Sequence, residues 1–89
     1  MKLGHRFDHI AIIGIGLIGS SIALAAREAD MAGNISLYDQ DDTVRARAFE
    51  LGLGHVCDSV ESAVRDADLV ILCVPSGSMG VVGVRLPRS

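Results

Sequence analysis

The chain has 89 residues, room for one small domain that removes only about 60–65% of its unfolded surface from water. It is 49% hydrophobic but 3% aromatic, so its core must be aliphatic, of the kind buried when helices cover both faces of a parallel sheet. A net charge of −3, no basic stripe, one Tyr and two Phe argue against nucleic acid as a partner.

Residues 1–7 form a polar lead-in, and a strand is predicted from Asp8 to Gly14. Its apolar run, Ile10 to Ile13, enters three glycines spaced Gly14-x-Gly16-x-x-Gly19, and a helical pattern follows from Leu17 to Asp30. Strand, tight turn and helix N-terminus together are the context a dinucleotide-binding fingerprint requires. Gly14 allows the sharp turn, Gly16 lets backbone approach a pyrophosphate, and Gly19 lets the helix pack on the strand. The phosphates would sit on unpaired N–H groups at the positive end of the helix dipole, so no basic side chain is needed. Ile18, Ile22, Ala25 and Ala29 recur at helical spacing, and the small Gly19, Ala23 and Ala26 permit close approach to the sheet. Gly33-Asn34 is expected to break this helix.

A competing reading of the same stretch is a secretory signal or membrane anchor. Ile10 to Ala26 is uncharged, Lys2 and Arg6 precede it, and Ala23-Leu24-Ala25 resembles a cleavage site. Asp8 and His9 interrupt the basic-to-apolar order, however, the three glycines weaken an apolar helix, and the run falls short of the roughly 20 residues a span needs. No membrane segment is expected.

Strand two is read as Ile35 to Tyr38, ending at Asp39, which lies 20 positions after Gly19. An acidic side chain at that point accepts hydrogen bonds from the adenosine ribose hydroxyls and repels a 2′-phosphate, favouring NAD over NADP. The alternative role for Asp39 is membership of the acidic cap Asp39, Asp41, Asp42 of the next helix. Arg45 and Arg47, close by, soften discrimination against a 2′-phosphate. Helix two runs from an Asp41 or Asp42 N-cap to Leu51, with Val44, Ala48 and Leu51 toward the sheet. His55-Val56-Cys57 is a short third strand. Asp58 is read as the N-cap of helix three, with Glu61 completing a capping box and Val60, Ala63, Val64 and Ala67 as its apolar stripe. Strand four, Leu69 to Val74, is continuously apolar, as a strand buried on both faces should be.

Right-handed crossovers give a Rossmann-like α/β sheet in the order 3-2-1-4, helices on both faces, with its switch point beside the glycine turn. Val74, Pro75 and Ser76 would line the far wall of that crevice. Residues 1–80 read as part of a dinucleotide-binding domain and 81–89 as an off-pattern tail, with neither strand alternation nor a full helical stripe. The far side of strand four would then lack a neighbour, which predicts poor folding on its own. Cys57 and Cys73 read as buried hydrophobes in a reducing cytoplasm. His5, His9 and His55 stand singly, and no spacing suggests a metal.

The runs H-I-A-I-I-G-I-G-L-I-G-S-S-I-A-L-A, S-L-Y-D and A-D-L-V-I-L-C-V-P together resemble the N-terminal nucleotide-binding domain of the prephenate/arogenate dehydrogenases of tyrosine biosynthesis. The 6-phosphogluconate, 3-hydroxyisobutyrate and pyrroline-carboxylate enzymes share part of the pattern. The resemblance covers residues 7–80 and implies an NAD-dependent oxidoreductase that decarboxylates prephenate or arogenate, in a cytoplasmic homodimer. It assigns the pyrophosphate turn to Gly14, Gly16, Leu17, Ile18 and Gly19, the ribose to Asp39, and the cofactor's flank to Val74 and Pro75. The family's catalytic histidine and its helical substrate domain come after Ser89, so no catalytic residue is assigned and the chain is expected to be inactive alone. Val84 to Ser89 can be encoded so that losing one base yields Glu-Ile-Ala-Pro-Leu, so a frameshifted or truncated reading frame would account for the lost pattern. Three other readings stand beside this one: the NAD-binding fragment of another dehydrogenase of the 6-phosphogluconate/3-hydroxyisobutyrate type, a self-sufficient nucleotide-binding module, and a small α/β domain whose glycines serve only as turns.

Overall fold

A strand from Phe7 to Ile13 (β1) forms the centre of a five-stranded sheet in the computed structural model, which describes residues 7–76 and 78–86. It is followed by α1 (Gly16–Glu28), β2 (Ala32–Tyr38), α2 (Asp42–Leu51), β3 (His55–Val56), α3 (Val60–Val64), β4 (Leu69–Ser76) and β5 (Ser78–Arg85). The sheet order is β3-β2-β1-β4-β5. β1 pairs in parallel with β2 (Ile10 opposite Ile35, Ile12 opposite Leu37) and with β4 (Ile10 opposite Leu69, Ile12 opposite Ile71). The expected 3-2-1-4 arrangement is therefore present, with a further strand at the β4 edge.

Strand alternation divides the core between the two faces of the sheet. Ile10, Ile12, Ile35 and Leu37 point to one face, where they meet Ile15, Ala23 and Ala26 of the α1 region and Ala48 and Leu53 of the α2 region. Ala11 and Val70 point to the other, with Ala67, Ile13, Val64 and Leu72. The buried residues of α1 are the small Gly19, Ala23 and Ala26, with the half-buried Ile22 packed beside them, so the helix can lie close to the strands. Ala25 and Ala29 of the predicted stripe are exposed instead. On α2, Ala48 is buried and Leu51 is 55% exposed; Leu53, just past the helix, takes the core position expected of Leu51.

The ends of the helices differ from the sequence reading in two places. α1 ends at Glu28, short of the expected Asp30, and the residue that turns the chain is Asp30, not Gly33: Asp30 takes a left-handed φ of 55°, its N–H bonds to Arg27 O and Met31 N–H to Ala26 O. That pair of bonds satisfies the last carbonyls of the helix, aspartate tolerates the conformation, and Gly33-Asn34 is released into β2. The N-cap of α3 is Ser59, whose hydroxyl accepts from Ser62 N–H at 3.1 Å. Cys57 N–H donates to Leu37 O at 2.8 Å, which keeps the chain extended past β3 and moves the cap one residue beyond Asp58. The cap of α2 is Asp41, one of the two residues expected, accepting from Thr43 N–H at 2.9 Å.

The larger difference is β5. Residues 78–85 pair antiparallel with β4 from Ser76–Ser78 through to Leu69–Arg85, so β4 has the neighbour it was expected to lack. Alternation is missing where the strand is half open to solvent on both faces: Val81, Val82 and Val84 are 47%, 51% and 41% exposed. The strand follows from its β-branched residues. Residues 87–89 lie outside the described residues. Asp68, only 7% exposed, ties the base of the sheet: its Oδ2 accepts from Asp8 N–H at 2.6 Å and His9 N–H at 3.2 Å. Its own N–H donates to His9 O, and Leu86 N–H donates to its carbonyl.

The uncharged run Ile10–Ala26 is divided among β1, a turn and α1. Among the described residues, no helix is long and apolar enough to cross a membrane.

Candidate functional site

At the C-terminal ends of β1 and β2 the chain makes the bend that the glycines foreshadow. Gly14 has φ +86°, and a Cβ there would meet Cys73 O at 2.5 Å. Gly19, one turn into α1, faces the same bend: its Cβ would meet Gly14 O at 2.7 Å. These two glycines are required by packing alone. Gly16 is different. Its φ is +43°, and a Cβ would find nothing within 4 Å. Space stands open in front of the backbone at the one glycine expected to face a pyrophosphate.

The first turn of α1 has no side-chain cap and no acidic residue. The N–H groups of Gly16, Leu17 and Ile18 have no acceptor within the helix, since the first turn never does, and they carry the positive end of its dipole. Leu17 is 85% exposed, so its side chain does not cover them.

Asp39 follows β2 directly and reaches across to this bend. Its Oδ2 accepts from Ile15 N–H at 2.8 Å and its Oδ1 from Asp41 N–H at 2.9 Å. Gly14 N–H donates to Tyr38 O at 2.8 Å, a second bond joining the turn to the end of β2. The carboxylate thus ties the entry of α2 to the glycine turn. A cleft of about 320 Å³ opens beside it, lined by Ile13, Gly14, Tyr38, Asp39, Gln40, Val60, Leu72 and Cys73. This sits at the low end of the range for small-molecule sites. Its walls are apolar, and its polar groups gather on the Asp39 side.

Arg45, on α2, donates from Nη1 to Asp39 O at 2.6 Å and lies 5.7 Å from the centre of the Tyr38 ring. Cys73, read from sequence as a buried hydrophobe, lines the cleft, and burial pushes its thiol above the ordinary value. Val60 and Leu72 were likewise read only as packing residues, and no local spacing marks them as cleft residues. The side chains of Val74 and Pro75 lie outside the described residues; their backbone continues β4 past Cys73. His5 also lies outside them. His9 Nε2 is 2.5 Å from Ser36 Oγ, and His55 is exposed; neither lines the cleft. Among the described residues, no group of three or more His, Cys, Asp or Glu is placed to hold a metal.

Comparison with known proteins agrees with this geometry. A family model described as NADP oxidoreductase, coenzyme F420-dependent, matches residues 9–83. The chain is also similar to the cyclohexadienyl dehydrogenase of Zymomonas mobilis subsp. mobilis, at 52% identity over 81 residues, which is 90% of this chain and 28% of that protein. The resemblance to the prephenate/arogenate dehydrogenases is thereby supported over nearly the whole chain, which spans under a third of the relative's length. The glycine bend, the open helix end and the family match point the same way: this chain belongs to the NADP oxidoreductase, coenzyme F420-dependent, family of NAD(P)-binding Rossmann-like domains.

Proposed function

We propose that this chain holds NAD at the β1–α1 bend and is the nucleotide-binding portion of a prephenate/arogenate dehydrogenase. The observation that carries the reading is the pairing of two features at one bend: an uncapped helix end with open space at Gly16, and the Asp39 carboxylate bonded to Ile15 N–H just before it. The N–H groups of Gly16, Leu17 and Ile18 would hold the pyrophosphate, with Gly14 and Gly19 keeping turn and helix in register. Val74 and Pro75 would flank the cofactor from the end of β4. Asp39 Oδ1 and Oδ2 each accept one backbone N–H, and a carboxylate offers about four acceptor sites, which leaves capacity for the ribose hydroxyls.

A dianionic 2′-phosphate would be pushed away by the Asp39 charge, so NAD is preferred, although the family's description names NADP. When bound, the nicotinamide accepts the hydride. This chain's own residues bind and orient the nucleotide, and none is assigned to proton removal or decarboxylation. Prephenate or arogenate as substrate, a homodimeric whole enzyme and a cytoplasmic setting belong to the same proposal. The free thiols of Cys57 and Cys73 suit a reducing compartment.

Calorimetric titration of the chain with NAD and with NADP tests the reading. NAD is expected to bind more tightly, and Asp39→Asn to weaken NAD and narrow the gap to NADP. A variant that excludes NADP as strongly as the parent would remove Asp39 from the ribose; a parent that binds neither nucleotide would end the proposal.

A further inference from the structure

β5 ends the sheet: among the described residues no strand lies beyond it. Leu86 N–H donates to Asp68 O, and antiparallel pairs alternate between bonded and non-bonded. Residues 78, 80, 82 and 84, in step with Leu86, therefore turn their N–H and C=O groups to β4. Met79, Val81, Gly83 and Arg85 turn theirs to the open edge. Proteins blunt such edges with lysines, prolines, bulges or very short strands. β5 has no lysine or proline, and its ladder to β4 runs unbroken from Ser78 to Arg85. The opposite edge is protected by its length, since β3 has two residues.

We propose that this edge docks a second copy of the chain, the two β5 strands pairing antiparallel about a two-fold axis at Val82. The edge is self-complementary in that register, as a two-fold interface must be. Its outward groups, at 79, 81, 83 and 85, are spaced evenly about Val82, so Val81 meets the partner's Gly83 and Met79 the partner's Arg85 in bonded pairs. Centring the axis elsewhere sets at least one of the four opposite a residue outside the strand. Arg85, the one charged residue of β5, falls at opposite ends of the ribbon, so like charges do not meet. Val82 faces the partner's Val82 in a non-bonded pair, where side chains approach most closely, and each covers apolar surface now 51% exposed. The joined sheet ends on the short β3 at both sides, so growth stops at two copies. The proposal does not rest on the nucleotide reading, because no residue of β5 is among those lining the cleft.

Sedimentation equilibrium of the full chain, at up to millimolar concentration, should approach twice the 9.3 kDa of one copy. Gly83→Pro removes an outward N–H and no bond to β4, a placement proline tolerates on an edge strand, and a Cβ there meets only Leu69 Cδ1, at 3.8 Å. It should stay folded by circular dichroism and weaken the dimer about tenfold or more, since the two-fold removes the bond twice. Val81→Lys, which keeps every backbone group and places a charge on the edge, should also disperse the dimer. Val82→Cys tests the register: Cα atoms of a non-bonded pair lie about 4.5 Å apart, within reach of a disulfide. Mild oxidation should join two copies of Val82→Cys far more than Val84→Cys or the parent, whose own thiols are Cys57 and Cys73. A parent that stays monomeric, assemblies that grow beyond two copies, or a dimer untouched by both Gly83→Pro and Val81→Lys would overturn the proposal. Equal cross-linking at 82 and 84 would overturn the register.

Discussion

Replacing Gly16 by leucine separates the two jobs a glycine can have. The φ of +43° at this position is left-handed, and a Cβ would touch nothing within 4 Å. The cost to folding is therefore the conformational term alone, about 1–2 kcal/mol for a residue with a side chain, with no clash to add. In a domain of this size that lowers Tm by about 4–8 °C per kcal/mol. Binding should respond on another scale. The side chain would fill the space in front of the N–H groups of Leu17 and Ile18, and losing two charge-assisted bonds at about 1.5–3 kcal/mol each corresponds to a drop of about 10²–10⁴-fold in NAD affinity. Gly16→Ala provides the backbone control, with the same strain and a smaller obstruction. Thermal unfolding followed by circular dichroism and calorimetric titration of NAD read the two effects separately. A Gly16→Leu protein that unfolds cooperatively and binds NAD within about threefold of the parent would refute the placement of the pyrophosphate.

Gly19→Ala should behave in the opposite way. Its Cβ would meet Gly14 O at 2.7 Å, backbone against backbone, and a clash of about 1–3 kcal/mol exceeds the gain of about 1 kcal/mol in helix propensity, so urea denaturation should show a less stable protein. Asp68→Ala removes the carboxylate that accepts from Asp8 and His9 N–H; we expect a loss of about 2–4 kcal/mol in urea denaturation, partly restored in Asp68→Asn, with unaltered NAD affinity in the protein that remains folded. Burial raises the Cys73 thiol, so the unfolded chain releases that proton at lower pH than the folded one. The stabilising contribution is complete below the unfolded value and is lost as pH rises through the folded one. Denaturation midpoints should thus fall above about pH 8.5, and fall less steeply in Cys73→Ala.

The parts of the fold governed by short-range chemistry were legible in the amino-acid order. β1, the bend and α1 follow from an apolar run, three spaced glycines and a helical stripe, and β4 from uninterrupted Leu69–Val74. The cap of α2 was legible only as one of two adjacent aspartates, Asp41 or Asp42, and the bond from Thr43 N–H selects Asp41. Asp58 and Ser59 are both competent caps, and the choice was made by a strand bond from Cys57 to Leu37, 20 residues away in sequence. β5 was illegible because an edge strand open on both sides needs no alternation. At the candidate site, Asp39 was marked by its distance from Gly19. Its bond to Ile15, the tether of Arg45 to the Asp39 carbonyl and the entry of Val60 and Cys73 into the cleft all depend on how strands and helices meet, which no local pattern encodes.

The account depends on main-chain amides of one bend holding the nucleotide's phosphates. Amide nuclear magnetic resonance of the labelled chain, titrated with NAD, observes those groups directly. Saturable shifts concentrated at Gly14 to Gly19 and at Asp39, with the largest at Gly16, Leu17 and Ile18, are the result the account predicts. Shifts centred elsewhere on the sheet, or none at millimolar NAD, would contradict it.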